Sequence, residues 1–203
     1  MLLSLNWETI TDEGFLNNPY RTVRFEDSNN ASGYSYELEN YPNTRTSNAV
    51  STKIKYFLNY NAAVHGLYRY FNDSWGISAH TAEVGYTHSL KKHWMLDIKY
   101  RYYSQGPADF YSDLYPFQNS QNFLARDKEL SSFKNHTLGL GVGYEFLQSN
   151  TGLIKKASVN LAYNYIYFDY DNFRDLTKAG NVGSEPLYNF SANVVQLFLS
   201  VWY

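Results

Sequence analysis

The chain has 203 residues, which is long enough for one all-β domain. Its formal net charge of -2 is close to neutral and does not indicate a nucleic-acid partner. It contains no cysteine, which excludes disulfides, thiolate metal sites and cysteine nucleophiles. Aromatic residues make up 19% of the sequence. Such an excess is typical of membrane β-barrels, in which aromatic rings form girdles at both water interfaces.

Four strands are predicted in the first half of the chain from alternating polar and apolar residues, over 3–9, 47–60, 62–71 and 78–88. The polar stretch 10–45 between the first two is rich in turn signals and is predicted to be an extended loop. In the second strand, Lys53 and Lys55 share one face. A lysine facing lipid costs about 2 to 4 kcal/mol at mid-membrane, so this face is predicted to point into a lumen.

The fifth predicted strand, 94–103, has the clearest alternation in the chain. Its apolar face carries Trp94, Leu96, Ile98, Tyr100 and Tyr102, and its opposite face carries Met95, Asp97, Lys99, Arg101 and Tyr103. So sharp a division favours a strand with lipid on one side and polar surroundings on the other. A second long loop is predicted to follow, from 104 to about 133.

The last three strands are predicted over 134–146, 157–168 and 193–203, with a third long loop over 169–187. Glycines on the inward face of the first of these are predicted to leave room for bulky neighbours or a tight bend: Gly139, Gly141 and Gly143. The terminal strand alternates and has the nine to eleven or so residues that cross a bilayer as a tilted strand. Its pattern, closed by an aromatic residue, resembles the signal read by the machinery that inserts outer-membrane barrels.

These strands predict one all-β domain over 1–203, an antiparallel transmembrane β-barrel of about eight strands. The connections run long, short, medium, short, long, short, long, which is typical of outer-membrane barrels. The loops 10–45 and 104–133 are therefore expected outside the cell. The turns near Asn61, Lys91 and Ser149 are expected on the periplasmic side.

Two sets of side chains follow from this placement. The candidate lumen-lining residues are Lys53, Lys55, Arg69, Glu83, Asp97, Lys99, Arg101 and Glu145. The candidate lipid-facing residues are Trp94, Leu96, Ile98, Tyr100, Leu197, Leu199, Val201 and Tyr203. The nearly balanced charge of the first set indicates a cross-strand ion-pair ladder, with Glu83 opposite Lys99 or near Asp97. Such a face fits either a polar channel or a packed, charge-paired interior.

No catalytic, metal or cofactor site is predicted. The five histidines fit no compact ligand motif, and the acidic run 169–172 lacks the glycine and distal glutamate of an EF-hand loop. Acidic and aromatic residues alternate at Asp109, Tyr111, Asp113 and Tyr115. That alternation predicts either a sugar-binding or adhesive rim or loop packing over the barrel mouth, and the second is favoured.

Several stretches of the sequence, 12–21, 41–45, 63–80 and 101–111, resemble a family of Gram-negative outer-membrane proteins known only as domain of unknown function 3570. The resemblance implies a location in the outer membrane but no activity. Members of the family are usually about twice this length and begin with a signal peptide, a feature that the start of this sequence lacks. The resemblance therefore implies the C-terminal half of a larger barrel.

The functional expectation is a Gram-negative outer-membrane β-barrel that acts as a pore or an envelope scaffold. Its expected partners are outer-membrane lipid, the barrel-assembly machinery and an unidentified solute or envelope protein. Two alternatives stay open: an outer-membrane enzyme with a site at the rim, and a soluble lipocalin-like ligand-binding barrel. The enzyme is less favoured, because no Ser/His/Asp set falls at predicted rim positions. A soluble barrel would bury its apolar face and expose its lysines, the inverse of the predicted placement.

Overall fold

The computed structural model describes residues 1–91, 93–148 and 154–203. Within them the chain forms ten strands: β1 Leu2–Glu13, β2 Thr22–Glu26, β3 Tyr34–Leu38, β4 Thr44–Leu58, β5 Ala62–Asp73, β6 Ser78–Leu90, β7 Trp94–Gln105, β8 Phe133–Gln148, β9 Lys156–Arg174 and β10 Leu187–Trp202. A short 3₁₀ helix covers Lys128–Leu130. In the described part of the chain, no helix is long and apolar enough to span a membrane.

Eight of the strands form one antiparallel sheet in the order β1-β4-β5-β6-β7-β8-β9-β10. All eight predicted strands are present, so the all-β antiparallel class is confirmed. The expected closure into an eight-stranded barrel is not found. β1 and β10 lie at opposite edges of the sheet, and no ladder joins them within the described ranges. Each edge strand therefore presents one row of backbone groups without a strand partner.

Two of the predicted loops contain more strand than expected. The stretch 10–45 includes the end of β1 and a separate hairpin of β2 and β3, in which Val23 pairs with Glu37. The third loop is shortened, because β9 continues to Arg174 and β10 begins at Leu187. The prediction of plain loops was wrong in these two stretches. Polar residues can form a strand when a neighbouring strand pairs with them, and the alternation of residues along one segment does not reveal that pairing.

The strand register places the two predicted faces on opposite sides of the sheet. Ile98 pairs with Tyr86 and Leu140, whereas the next residue, Lys99, pairs with Gly85 and Gly139. We call the side that carries Ile98 the outer face and the side that carries Lys99 the inner face. Side chains alternate along each strand, so these pairs define the faces of the neighbouring strands as well. Within the described strands, the register shifts only near two strand ends, between Glu145 and Leu147 in β8 and between Leu187 and Asn189 in β10.

The outer face carries an exposed aliphatic band between two groups of aromatic and histidine rings. The band contains Val64, Val84, Ile98, Leu138, Leu140 and Leu161. Towards the long connections lie Tyr68, Tyr70, His80, Tyr100, Tyr102 and His136, and towards the short turns lie Tyr60, Tyr86, His88, Trp94 and Tyr144. Tyrosine hydroxyls hydrogen-bond the histidines, as between Tyr100 Oη and His136 Nδ1 at 2.7 Å. We call these two groups the aromatic belts.

The connections divide by length between the two ends of the sheet. Segments 14–43, 74–77, 106–132 and 175–186 all leave the same end, and the short turns lie at the other. Asn61 makes one of these turns with a left-handed φ of 57°, a conformation that asparagine tolerates well. The predicted alternation of loop lengths is confirmed for these connections. The turn predicted at Ser149 lies outside the described residues.

Candidate functional site: the inner face and its cap

The four connections at the long-loop end fold together into one unit, which we call the cap: segments 14–43, 74–77, 106–132 and 175–186. Its larger core cluster contains Tyr41, Trp75, Ile77, Ala108, Phe110, Ala125 and Leu130, and its smaller one contains Val23, Phe25, Tyr115 and Leu124. Each cluster draws on segments far apart in the sequence. The cap is therefore a packed structure rather than a set of independent loops.

The cap rests on the inner face and leaves the outer face uncovered. Inner-face residues nearest the cap are buried: Ala49, Ala79, Thr81, Gln105, Asn135 and Tyr170. Gln105 Nε2 donates to the backbone oxygens of Glu129 at 2.9 Å and Ser131 at 2.7 Å. At the same height on the outer face, Val50 is 47% exposed and Tyr70 is 38% exposed. The inner face is therefore the enclosed side of the sheet.

A buried cluster of charges joins three of the cap segments. Arg24 is fully buried, and its guanidinium donates to the Asp113 carboxylate and to both carboxylate oxygens of Glu185, at 2.5 and 3.0 Å. Asp113 Oδ1 also accepts from Arg126 Nη2 at 2.9 Å and from the backbone N–H of Arg174 at 3.0 Å. Buried charges are tolerated only when they are paired and hydrogen-bonded in this way. This cluster therefore makes the three segments depend on one another.

The predicted acidic and aromatic alternation belongs mainly to this packing. Tyr115 is fully buried, its hydroxyl donates to the backbone oxygen of Phe110 at 2.6 Å, and burial raises its pKa to about 12. Tyr111 donates to the backbone oxygen of Asn172 at 3.2 Å. With Asp113 in the charge cluster, loop packing is confirmed for three of the four residues. Asp109 alone is exposed and borders an open pocket.

The charge cluster predicts that the cap is sensitive to acid. The hydrogen bonds from Arg24 lower the pKa of Glu185 from its ordinary 4.5 to about 2. A carboxylate with a lowered pKa stabilises the fold fully above its ordinary pKa and loses that contribution as pH falls towards the folded value. The cap should therefore loosen between pH 4.5 and about 2.

Tryptophan fluorescence can measure this acid transition. Trp75 lies in the larger core cluster, and replacing Trp7, Trp94 and Trp202 with phenylalanine leaves it as the only tryptophan of the four in the sequence. Its emission should shift to longer wavelength as the pH falls. In the same background, Glu185→Gln should show a looser cap at neutral pH and a flatter pH dependence. An identical acid transition in both proteins would contradict the assignment to Glu185.

The structure places each predicted set of side chains on a single face. All eight candidate lumen-lining residues lie on the inner face by register, and the candidate lipid-facing residues of β7 and β10 lie on the outer face. Tyr203 follows the end of β10 and has no register partner. Whether these faces meet a lumen and lipid stays a prediction.

The predicted position of Glu83 was wrong. Glu83 lies opposite Arg101, two residues from Lys99, and Asp97 lies opposite Thr87. Glu83 Oε1 is instead 3.2 Å from His65 Nε2 on the neighbouring strand. The turn between β6 and β7 sets this register, and a small difference in turn geometry shifts every pair along the two strands.

The predicted ion-pair ladder is only partly formed. Arg69 lies 3.6 Å from Glu8, and Lys156 lies 2.5 Å from Glu145. Four inner-face basic residues have no carboxylate within 4.0 Å in the described part of the chain: Lys53, Lys55, Lys99 and Arg101. Two inner-face carboxylates, Glu83 and Asp97, likewise have no lysine or arginine within 4.0 Å among the described residues. Four unpaired basic groups against two such carboxylates leave the inner face below the cap with an excess of positive charge.

The inward glycines make room for these side chains, as predicted. A Cβ atom at Gly139 would lie 2.6 Å from Lys99 Cε and 2.7 Å from Asn164 Oδ1. At Gly85 it would overlap the ring of His65. Long side chains on one strand therefore lie flat over glycines of the next.

The described residues contain no group of three or more His, Cys, Asp or Glu side chains that could hold a metal ion.

The model of a family described as "Protein of unknown function (DUF3570)" matches residues 1–195. The chain belongs to this family. The predicted membership of domain family 3570 is thus confirmed, and the match covers most of the sheet together with the cap. No curated protein and no solved structure matches the chain.

The DUF3570 description names no activity. Two features of this family member stand out: an exposed apolar outer face and an inner face that is positively charged below a packed cap. Loop packing was predicted for one segment of the cap, but the contacts that join its segments were missed, because they link residues far apart in the sequence. Arg24 and Glu185, for example, are 161 residues apart.

Proposed function

We propose that the chain forms part of the wall of a Gram-negative outer-membrane β-barrel, and that this barrel is a pore with the inner face along its lumen. One observation carries the proposal: the outer face exposes an aliphatic band, flanked by two aromatic belts, across the sheet. Tyr102 and Trp94 in the two belts are eight residues apart on β7. That separation is about 26 Å along the strand, or roughly 20 Å after a tilt of about 40°. Outer-membrane barrels have an apolar band of comparable height, about 25 Å.

The exposure of this band favours lipid as its surroundings. Val195, Leu197 and Leu199 are 67, 70 and 68% exposed, and the band continues across the neighbouring strands. Soluble monomers rarely expose apolar patches larger than a few hundred Å². A soluble lipocalin-like barrel would have its apolar residues inside and its lysines outside. Here the apolar Ile98 lies on the uncovered outer face and Lys99 lies on the inner face.

The open edges support a barrel with further strands. Within residues 1–91, 93–148 and 154–203, β1 and β10 each have a strand partner on one side only. Hydrocarbon does not tolerate unpaired backbone groups, so membrane-spanning sheets close completely. We infer that additional strands pair with both edges in the membrane. The C-terminal half of a larger barrel, as the family resemblance implied, would meet this requirement.

The charge of the inner face supports a pore that prefers anions. Lys53 and Lys55 on β4 and Lys99 and Arg101 on β7 lack carboxylate partners among the described residues. Rings of Lys and Arg side chains favour anions in membrane pores. A lumen wall of this composition would attract small anionic solutes by the same electrostatics.

A second candidate function is an envelope scaffold with a closed mouth, and the cap is the observation that favours it. The cap buries inner-face residues and is held by the Arg24 cluster. A cap of this kind would block the lumen if the remaining strands leave no opening beside it. Outer-membrane lipid and the barrel-assembly machinery are the partners common to both functions.

Fractionation of the natural gene product tests the shared part of the proposal. The protein should sediment with the outer membrane and should migrate differently in heated and unheated samples on a denaturing gel, because a closed barrel stays compact until it is heated. Recovery in the soluble fraction without detergent would contradict it.

Conductance in planar bilayers separates the pore from the scaffold. We expect open channels whose reversal potential in a salt gradient shows anion preference, and Lys99→Ala with Arg101→Ala should shift that potential towards cation preference. Lys178→Ala, which removes one positive charge from the exposed part of the cap, is the control and should leave the reversal potential unchanged. A folded barrel without conductance would favour the scaffold.

A further inference from the structure

The cap has an open pocket that the proposed pore does not use. Its volume is about 360 Å³, within the usual range of small-molecule sites. The pocket has three aromatic residues, Trp75, Phe110 and Phe123, and a polar rim that includes Asp109, Gln121 and Asn122. We propose that it binds a neutral saccharide unit.

The aromatic side of the pocket is rigid and partly uncovered. Trp75 and Phe110 belong to the larger core cluster, and their ring centroids are 5.3 Å apart. Phe123 packs against Phe110 at 6.2 Å and is 39% exposed. An exposed ring face carries partial negative charge, and the polarised C–H groups on one side of a pyranose ring can pack on it.

The rim has the hydrogen-bonding capacity that vicinal hydroxyl groups require. An ionised carboxylate only accepts, whereas each amide both donates and accepts, and a sugar hydroxyl can do either. Within the described residues, the side chains of Asp109, Gln121 and Asn122 make no hydrogen bond to another residue, so all three are available to a ligand.

The backbone holds these polar residues in place. The N–H of Asp109 donates to the backbone oxygen of Trp75 at 2.8 Å. The backbone oxygen of Asn122 accepts from Asn40 Nδ2 at 2.7 Å. Gly76 has a left-handed φ of 87°, and a Cβ atom there would overlap the Asp109 carboxylate. The close approach of that carboxylate therefore requires glycine at this position.

The charge of the pocket favours a neutral ligand over an anionic one. Among the residues that the structure describes, no lysine or arginine lines the pocket, and Asp109 is its one charged group. A phosphate or carboxylate would face this carboxylate without a compensating cation, whereas hydroxyl groups can donate to it. A saccharide needs an aromatic surface to pack on and hydrogen-bonding groups for its hydroxyls, and the pocket provides both.

Saturation-transfer NMR on the natural gene product tests the proposal, in a zwitterionic detergent that has no sugar headgroup. The probes are the methyl pyranosides of glucose, galactose, mannose and N-acetylglucosamine. At least one should receive saturation on its ring protons. Asp109→Ala and Phe123→Ala should each raise its Kd by roughly tenfold or more, and Phe123→Tyr should restore binding.

Phe117→Ala is the matched control, because Phe117 lies in the same cap segment, is 60% exposed and does not line the pocket. It should leave saccharide binding unchanged. The heat-dependent gel shift of each variant shows that the barrel has folded, and resistance to trypsin after Arg126 and Lys128 shows that the cap has folded, so loss of binding can be read separately from loss of structure. No transfer to any of the four pyranosides, or transfer that persists in both alanine variants, would overturn the proposal.

Discussion

Ile98→Lys should prevent most of the protein from folding into a membrane. Ile98 lies in the middle of the aliphatic band, pairs with Tyr86 and Leu140, and is 50% exposed. If this face meets hydrocarbon, a lysine there costs about 2 to 4 kcal/mol. That cost corresponds to a loss of roughly 30- to 1,000-fold in the folding equilibrium. The compact fraction in unheated gel samples, after folding into lipid vesicles, measures the effect.

Two further variants make the test specific to position and face. Leu199 is level with Trp94 and Tyr144 in one aromatic belt, where the cost of lysine falls to about 0 to 1 kcal/mol. Leu199→Lys should therefore impair folding less than Ile98→Lys. Lys99→Ala, on the inner face, should fold as well as the unmodified protein. Equal tolerance of all three changes would show that the outer face does not contact lipid.

Arg24→Met should unfold the cap while the sheet remains intact. The change leaves the carboxylates of Asp113 and Glu185 buried with one fewer cation, and breaking a buried ion pair in this way costs about 3 to 5 kcal/mol. Trypsin should then cleave after Arg126 or Lys128, which lie in the cap segment 106–132. Mass spectrometry of the fragments, together with the heat-dependent gel shift, distinguishes unfolding of the cap from unfolding of the sheet.

Lys178→Ala is the control for the Arg24 variant, because Lys178 is a half-exposed partner of Asp175 in the same cap. Exposed ion pairs contribute little, so its trypsin pattern should match that of the unmodified protein. Adding Glu185→Met to Arg24→Met should restore much of the protection, because the remaining Asp113 carboxylate keeps its ion pair with Arg126. Unchanged cleavage in Arg24→Met would mean that the cluster does not hold the cap.

The strands and their faces were predictable, because each depends on local alternation. Trp94, Leu96 and Ile98 alternate with Met95, Asp97 and Lys99, and no tertiary information is needed to separate the two faces. The pairing of Glu83 with Arg101 was not predictable, because register depends on turn geometry. The hairpin of β2 and β3 was missed because each strand has only five residues and lies in a stretch rich in turn signals. Val23 and Phe25 are buried by contacts with Tyr115 and Leu124 of another cap segment.

The amino-acid sequence by itself therefore determined the eight strands of the large sheet, the apolar and polar sides of each strand, and membership of the DUF3570 family. The tertiary structure decided the cap, the buried Arg24 cluster, the saccharide-sized pocket and the open edges of the sheet. The alternation of polar and apolar residues can be read from neighbouring positions in the sequence. The hydrogen bond between Arg24 and Glu185, in contrast, joins residues that are 161 positions apart. A contact of that range depends on how the whole sheet brings its connections together at one end.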